Sequence, residues 1–187
     1  MKRIWIFIVR LFGWKFDLPK EKRPELYRAV YIEAPHTSIA DFFLGAACVF
    51  KIGCNARIFM KKEYFNWFTT PLLRHFGVIP VDRGNRHNNL VEKAVENFAQ
   101  HEDFVIVLTP EGTRKPAKRW KRGFYEVATQ AHVPIVLTYI DFKQKIMGVG
   151  PAIQPSGDYA ADMREIMKFY QDKTAKHPDW FNKDIIL

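Results

Sequence analysis

The fold of this chain is decided by one segment, Ala34-Pro35-His36-Thr37-Ser38-Ile39-Ala40-Asp41-Phe42-Phe43-Leu44. The short extended run Val30-Tyr31-Ile32 precedes this segment, and a long apolar run over 42–50 overlaps its end and continues beyond it. This order predicts a strand, then a turn, then a buried helix. Ser38 and Asp41 have the spacing of a capping box, in which each side chain accepts a hydrogen bond from the backbone near the other.

The same spacing brings a histidine and a carboxylate together. With Ser38 as the N-cap, Asp41 lies in the first helical turn, and its side chain leans back toward the turn that contains His36. The carboxylate can then meet one nitrogen of the imidazole ring and leave the other nitrogen free. A base held in one tautomer by a carboxylate is half of the machinery that activates a nucleophile. His36 and Asp41 are therefore candidate catalytic residues, and the alternative is an ordinary capping box beside an incidental histidine.

Three further motifs follow this segment, in the order Phe76-Gly77-Val78-Ile79-Pro80-Val81-Asp82-Arg83, Thr109-Pro110-Glu111-Gly112-Thr113-Arg114 and Val133-Pro134-Ile135. With the first segment, they closely resemble the glycerolipid acyltransferase family, whose best-known members are the 1-acyl-sn-glycerol-3-phosphate acyltransferases. The patterns of that family are H-x-x-x-x-D, G-x-x-P-x-x-R, P-E-G-T-R and a V-P-I/V strand. All four occur here in order, and P-E-G-T-R is the most specific. The resemblance implies a mixed β-sheet wrapped by helices, as in glycerol-3-phosphate acyltransferases.

Composition and charge limit the classes of protein that fit. The chain has 187 residues, of which 48% are hydrophobic, so a single domain with a real core is expected rather than disorder. The net charge of +9 indicates an anionic partner, such as nucleic acid, an anionic membrane face or a phosphorylated ligand. Cys48 and Cys54 lack C-x-x-C spacing, so packing is a better explanation for them than metal binding or redox chemistry.

The N-terminal residues 1–16 are apolar but short. The run Ile4-Trp5-Ile6-Phe7-Ile8-Val9 is interrupted by Arg10, far below the ~20 residues that a membrane span needs, and no cleavage site follows. With Trp5 and Trp14, this segment predicts a helix that lies in a membrane interface, with both indole rings near headgroup depth. The alternative is a helix packed on the protein's own core. We expect residues 1–16 to form this segment, 17–24 to form a linker, and 17–187 to form the enzymatic domain.

Strands and helices alternate along the rest of the chain, which predicts an α/β layered domain. Functional residues in such sheets gather at the carboxyl ends of strands, so His36, Arg83 and Glu111, which each follow a predicted strand, should converge. The predicted strands are 29–34, 57–60, 78–81, 104–108, 134–139 and an edge strand at 145–149. The predicted helices are 40–50, a short helix over 67–76 broken by Pro71, 89–101, 123–131, and one that starts near Tyr159 and ends before Pro178.

A base at His36 needs a nucleophile. The chain has two serines, Ser38 and Ser156, and neither lies in a G-x-S-x-G sequence. Ser38 is better explained as the helix cap, so a substrate hydroxyl is the economical choice. Neutral His36 would take the hydroxyl proton as the oxygen attacks a thioester carbonyl, without an acyl-enzyme intermediate.

Arginines are the predicted phosphate ligands, because the planar guanidinium grips phosphate oxygens at two points. In the family, the P-E-G-T-R loop and the arginine of G-x-x-P-x-x-R are associated with the glycerol phosphate acceptor. The resemblance therefore implies that the acceptor is bound by Arg83, Glu111, Gly112, Thr113 and Arg114. Glu111 has two possible roles, a hydrogen bond to acceptor hydroxyls or the support of an arginine, and the sequence does not choose between them.

A basic cluster extends the P-E-G-T-R loop around Trp120. It is a candidate site for the anionic donor, acyl-coenzyme A or acyl carrier protein, or for acidic lipid heads, and a solvated basic loop is the alternative. Lys61 and Lys62 are weaker candidates. The cluster consists of Lys115, Lys118, Arg119, Lys121 and Arg122.

The sequence thus predicts an O-acyltransferase that acylates 1-acyl-glycerol-3-phosphate to phosphatidic acid. No metal and no cofactor other than the acyl thioester is expected. The expected partner is membrane lipid rather than nucleic acid, with the protein peripheral on the cytoplasmic face of the cell membrane. Where the family often has serine after P-E-G-T-R, this chain has Lys115, which leaves another lysolipid, such as an amino-acid lipid, as an alternative acceptor. A hydrolase that uses the same dyad with water, and a non-enzymatic basic protein that binds membranes or nucleic acid, are the competing hypotheses.

Overall fold

A computed structural model describes residues 2–81 and 90–184 of the chain. In this part of the chain, seven strands form one sheet and six α-helices flank it. The strands are β1 (Lys15–Asp17), β2 (Arg28–Glu33), β3 (Ala56–Lys61), β4 (Val78–Val81), β5 (Phe104–Leu108), β6 (Ile135–Asp141) and β7 (Ile146–Ile153). The helices are α1 (Lys2–Leu11), α2 (Ile39–Ile52), α3 (Thr69–His75), α4 (Leu90–Gln100), α5 (Gly123–Gln130) and α6 (Tyr159–Tyr170).

The sheet is mixed, which confirms the predicted α/β fold class. The strand order is β1-β7-β6-β2-β5-β3-β4, in which β6, β2, β5, β3 and β4 run parallel. The expectation of an edge strand at 145–149 is wrong, because β7 pairs with β6 on one side and with β1 on the other. The outer position belongs to β1, a three-residue strand too short to show an alternating pattern.

Alternate residues of the central strand β2 contribute to the two faces of the sheet. Val30 and Ile32 join the core beneath α4, α5 and α6, whereas Ala29 and Tyr31 join the core beneath α1 and α2. Because both faces are covered, the inner strands read as continuous apolar runs. Cys48 and Cys54 are buried free cysteines, and burial raises the pKa of both thiols. This environment agrees with a packing role.

The two ends of α2 follow the local chemistry of the sequence. The Ser38 hydroxyl accepts a hydrogen bond from the Ala40 N–H at 2.9 Å, and the Asp41 carboxylate accepts one from the Ser38 N–H at 2.8 Å. The predicted capping box is therefore confirmed. Gly53 ends the helix at φ 84°, a left-handed conformation that glycine adopts without steric penalty.

Helix α3 is not broken by proline. Pro71 is the third residue of α3, within the first turn. The N–H groups of the first turn have no partner inside a helix, so proline removes no helical hydrogen bond there. The prediction of a broken helix over 67–76 treated Pro71 as an interior residue, because the start of α3 at Thr69 was not anticipated.

Helix α1 packs on the protein with one face and exposes the other. The Trp5 indole N–H donates a hydrogen bond to the Phe43 carbonyl at 3.0 Å, and Val9 is buried against the core on the α2 side of the sheet. The exposed side of α1 mixes apolar and basic residues. Its large apolar members are Ile4, Phe7 and Leu11, followed by Phe12 just beyond the helix, and its basic members are Lys2, Arg3 and Arg10. The core-packed alternative therefore describes one face of α1, and the interfacial helix stays a prediction for the exposed face. No described helix is long and apolar enough to cross a membrane.

The two N-terminal tryptophans contact protein rather than standing free. Trp5 lies against the rings of Phe43 and Phe76, and the Trp14 ring meets Phe142 edge-on with centroids 5.1 Å apart. The residues immediately after Trp14 pair with β7 as strand β1. The expected boundary between residues 16 and 17 therefore falls inside a strand, and a deletion of 1–16 would remove packing as well as exposed apolar surface.

Candidate active site

The turns that follow β2 and β5 meet at one edge of the sheet. Because these strands are parallel neighbours with Ile32 opposite Leu108, their carboxyl ends lie side by side. The His36 N–H accordingly donates to both carboxylate oxygens of Glu111, at 3.1 and 3.2 Å. Two of the three residues expected to converge are thus in contact. The third, Arg83, lies outside the described residues.

His36 and Asp41 form the expected pair. The His36 Nδ1 atom lies 3.3 Å from the Asp41 Oδ2 atom, with 17% of the histidine side chain exposed and none of the aspartate side chain. Among the described residues, neither Nδ1 nor the second carboxylate oxygen has a hydrogen-bond partner. Catalytic contacts are often long in unliganded enzymes and tighten when substrate binds. Since Nδ1 is buried against Asp41, the exposed edge of the ring is the one available to a substrate.

The Asp41 carboxylate is fixed by the backbone of the turn. Its Oδ2 atom accepts hydrogen bonds from the Thr37 and Ser38 N–H groups, both at 2.8 Å. The turn is further tied to the C-terminal part of the chain, where the His177 N–H donates to the Thr37 hydroxyl at 3.2 Å. The orientation of the dyad therefore depends on backbone donors more than on side-chain freedom.

Glu111 has a role that neither sequence-based option described. Its two oxygens accept hydrogen bonds from the backbone N–H of His36, so this glutamate positions the turn that contains His36. Burial, opposed by the hydrogen bond from His36 and reinforced by the charge of Asp41, raises the pKa of Glu111 to about 8. The P-E-G-T-R loop thus supports the turn of His36 as well as lining the cavity described below.

Glu33 is a site residue that sequence reasoning missed. It is the last residue of β2, it is buried, and burial together with the charges of Asp41 and Glu111 raises its pKa well above the usual range. A Cβ atom at Gly45 of α2 would lie only 2.1 Å from a Glu33 carboxyl oxygen, so the carboxyl group occupies the space that this glycine leaves. An acidic residue at the end of an otherwise apolar strand was the available signal.

The P-E-G-T-R residues form a tight turn beside the dyad. Gly112 has φ 67°, and its N–H donates to the Thr109 carbonyl at 3.0 Å. A Cβ atom at this position would lie 2.6 Å from Cε and 3.0 Å from Nζ of Lys121, so this lysine crosses directly over the glycine. Thr113 and Arg114 are exposed. Glycine at this position therefore allows a close approach of a cation to the turn.

A cavity of about 320 Å³ opens at this edge of the sheet and includes His36 in its wall. One side is apolar and comes from α2, β3 and the end of β5, whereas the other side is the P-E-G-T-R turn. Drug-sized ligand sites commonly have this size and this mixture of apolar wall and few polar groups. The polar and charged lining residues are Glu33, His36, Lys61, Tyr64, Thr109, Thr113 and Arg114, and the apolar ones include Ile39, Phe42, Val49, Ile58, Phe59, Met60, Val107 and Leu108.

Trp120 anchors the basic cluster instead of presenting its ring to a ligand. The indole is buried and packs edge-on against Tyr170, with ring centroids 5.7 Å apart. The Arg122 guanidinium stacks over Tyr159 at 4.4 Å, while the remaining basic side chains of the cluster are exposed. Within residues 2–81 and 90–184, no group of three or more His, Cys, Asp or Glu side chains is arranged to hold a metal ion.

A comparison with known protein families identifies the chain as an acyltransferase. A family model described as Acyltransferase matches residues 19–141, more than half of the chain, and the chain belongs to that family. The resemblance to glycerolipid acyltransferases and the prediction of an acyltransferase enzyme are thereby confirmed. The protein is similar in fold to the crystal structure of the 1-acyl-sn-glycerophosphate (LPA) acyltransferase PlsC from Thermotoga maritima, with a TM-score of 0.60 and 14% identity. That similarity covers 93% of this chain and 80% of PlsC, and a search of curated proteins gave no match.

Proposed function

We propose that this acyltransferase moves a fatty acyl group from an acyl thioester to the hydroxyl of a lysolipid. The proposed acceptor is 1-acyl-glycerol-3-phosphate, which would give phosphatidic acid for phospholipid biosynthesis. The observation that carries the proposal is the cavity that joins His36 to an apolar wall on one side and to Thr113 and Arg114 on the other. The activity for which PlsC is named, acylation of 1-acyl-sn-glycerophosphate, supports the same acceptor.

His36 acts as the general base in the proposed reaction. The free ring nitrogen takes the proton of the acceptor hydroxyl while its oxygen bonds to the thioester carbon. The tetrahedral intermediate then collapses, the carbon–sulfur bond breaks, and the proton on His36 passes to the departing thiolate, which returns the histidine to its neutral form. Asp41 stabilises the transient imidazolium through the 3.3 Å contact to Nδ1. No cofactor besides the acyl thioester takes part.

The acceptor phosphate is assigned to the P-E-G-T-R turn. Arg114 supplies a planar fork for two phosphate oxygens, and Thr113 supplies a hydroxyl donor. Lys121 adds a point charge beside Gly112, where a side chain would block its approach. Arg83 stays a predicted member of this site from its motif alone. The acyl chain would then lie along the apolar wall formed by α2 and β3.

The donor would be acyl-coenzyme A or acyl carrier protein, because both carry phosphate or acidic groups that suit the exposed basic cluster. We assign Lys115, Lys118 and Arg119 to that contact, since they are exposed beyond the phosphate turn. Arg122 is held over Tyr159, and Trp120 is buried, so neither is included. Reversal of these three charges tests the assignment with each donor in turn. A fall in activity with acyl carrier protein alone would assign the cluster to that donor rather than to acyl-coenzyme A.

Attachment to a membrane fits a lipid acceptor and product. The outward face of α1 carries Ile4, Phe7 and Leu11, all exposed, with basic residues beside them. We propose that this face binds the bilayer interface peripherally, on the cytoplasmic side of the cell membrane, and that anionic lipid strengthens it. Replacement of Phe7 and Leu11 by serine should weaken vesicle binding without loss of core packing, since both side chains point outward.

One assay tests the reaction directly. The purified protein is incubated with labelled acyl-coenzyme A or acyl carrier protein and a panel of lysolipids that includes 1-acyl-glycerol-3-phosphate, neutral lysolipids and amino-acid lysolipids. We expect labelled phosphatidic acid, and His36→Ala should reduce its formation by roughly 10²–10⁴-fold. Product only from amino-acid lysolipids would overturn the phosphate acceptor. Release of free fatty acid without any acylated lipid would indicate a hydrolase instead.

A further inference from the structure

A second apolar surface lies away from α1, on the turn that leads into α3. We call it the Trp67 surface, and it consists of Tyr64, Trp67, Phe68 and Leu72, whose side chains are 50%, 89%, 74% and 52% exposed. The rings of Trp67 and Phe68 touch, with centroids 5.9 Å apart, so they form one apolar tip. Contiguous exposed apolar surface is typical of interaction sites, whereas exposed apolar residues that are scattered singly are ordinary.

The tip is held outward by a hydrogen-bonded turn. The Asn66 side-chain oxygen accepts from the Phe68 and Thr69 N–H groups, at 3.0 and 2.9 Å. The Thr69 hydroxyl donates to the Tyr64 carbonyl at 2.6 Å, and the Thr70 hydroxyl donates to the Asn66 carbonyl at 2.6 Å. These bonds fix the backbone on both sides of Trp67. The two rings are therefore presented to the surroundings by a defined turn.

The Trp67 surface borders the mouth of the substrate cavity. Tyr64 belongs both to the surface and to the cavity wall, and Ile39, which also lines the cavity, is 55% exposed. On the opposite side of α3, Leu73 packs into an aromatic cluster that also contains Trp5 of α1. Leu73 thus anchors α3 to the same cluster as α1, while Tyr64, which precedes α3, connects the Trp67 surface to the cavity wall.

Charge and shape favour a bilayer as the occupant. The sequence around the surface is mainly basic. It contains Lys61, Lys62 and Arg74, and Glu63 is the acidic residue in the same stretch. Exposed aromatic rings with basic residues nearby in the sequence suit the interface of an anionic membrane. We propose that the Trp67 surface inserts into a bilayer beside the cavity mouth, so that a lysolipid enters the cavity directly from the membrane.

The insertion does not depend on the acyl acceptor, whereas the delivery of a lysolipid rests on the proposed function. Two variants distinguish membrane insertion of the Trp67 surface from membrane attachment through α1. The test variant is Trp67→Ser with Phe68→Ser. The comparison variant is Phe7→Ser with Leu11→Ser on α1, which should weaken vesicle binding but leave the lipid quenching of Trp67 in the bound protein unchanged. All four side chains are exposed, so the melting temperatures of both variants should stay close to wild type.

Vesicle binding is measured first, by co-sedimentation with phosphatidylcholine vesicles that contain or lack phosphatidylglycerol. The Trp67/Phe68 variant should bind at least about tenfold more weakly than wild type, because two aromatic side chains lose their apolar burial. Brominated lipids should quench the part of wild-type tryptophan fluorescence that Trp67→Phe removes. Wild-type binding by the Trp67/Phe68 variant, or no quenching of Trp67, would overturn the insertion.

Activity is measured second, on a long-chain lysolipid in vesicles and on a short-chain lysolipid below its micelle concentration. The Trp67/Phe68 variant should lose activity on the vesicle substrate by about the same factor as its binding and keep its activity on the soluble one. Equal loss on both substrates would overturn direct delivery. Loss that appears only with the acyl carrier protein donor would assign the surface to protein docking instead. If wild type acylates no lysolipid, the proposed function fails while the binding and quenching results still decide insertion.

Discussion

Asp41→Asn separates the negative charge of this residue from its hydrogen bonds. In the wild type, Oδ2 accepts from the Thr37 and Ser38 N–H groups at 2.8 Å and lies 3.3 Å from His36 Nδ1. An asparagine amide must place its oxygen at this position, because its NH₂ group would face two backbone donors. The imidazole therefore keeps an oxygen beside Nδ1 and retains the same tautomer. Only the charge that stabilises the imidazolium is lost.

The magnitude follows from that single loss. A charge-assisted hydrogen bond contributes about 1.5–3 kcal/mol and a neutral one about 0.5–1.5 kcal/mol. The difference corresponds to roughly tenfold in kcat, and full loss of the contact corresponds to roughly a hundredfold. The tenfold loss is smaller than the roughly 10²–10⁴-fold loss expected for His36→Ala, and the hundredfold loss equals the lower end of that range. The NH₂ group would occupy the buried Oδ1 position, where the wild-type oxygen also has no partner among the described residues, so the substitution exchanges one unpaired buried group for another and stability should change little.

The assay is kcat at saturating donor and acceptor, followed through release of the thiol, with melting temperature measured on the same preparations. Asp41→Ala is the structural control, because it leaves two backbone N–H groups unpaired and should lower stability more than Asp41→Asn does. An Asp41→Asn enzyme with wild-type kcat would show that the charge has no role. A folded Asp41→Asn enzyme as slow as His36→Ala would show that the tautomer was lost, which refutes the argument from the two backbone donors.

Three further changes test other parts of the site. The pKa of Glu111 is raised to about 8 in the folded protein, so folding favours the protonated carboxyl group. The contribution of Glu111 to stability is therefore full below about pH 4.5 and is lost as the pH rises to about 8. Glu111→Gln should therefore flatten the decline of unfolding free energy between pH 5 and 8, and an unchanged decline in chemical denaturation would contradict this. Arg114→Ala should raise the acceptor KM about tenfold or more with little change in donor KM. Arg114→Lys should recover part of the lost acceptor affinity. A selective rise in donor KM would instead assign this arginine to the donor site. Gly45→Ala should lower stability by about 1 kcal/mol in the wild type, because the added methyl group clashes with the Glu33 carboxyl group. In a Glu33→Ala background the clash is absent, and the same change should raise stability because alanine favours the helix. Equal effects in both backgrounds would exclude the clash.

Features that depend on neighbouring residues were readable from the sequence. The capping box at Ser38 and Asp41, and hence the approach of Asp41 to His36, follows from three-residue spacing at a helix N-terminus. The strands at 78–81 and 104–108 were placed at their observed ends because each is a compact apolar run beside turn residues. Convergence of His36 and Glu111 at one edge of the sheet was predicted because functional residues of α/β sheets gather at the carboxyl ends of strands. That prediction did not need the strand order.

Features that depend on distant partners were decided by tertiary structure. Glu111 holds the His36 N–H across 75 positions of sequence, and no local pattern distinguishes that role from a contact with substrate. Three-residue β1 becomes the edge of the sheet only because β7 offers it a partner. Trp120 lies within a basic loop and is buried against Tyr170 of α6. Periodicity shows which side chains are apolar, but the surface that each one contacts is formed by distant segments of the chain. Burial, strand order and the grouping of the Glu33, Asp41 and Glu111 carboxyl groups are therefore determined only in the folded molecule.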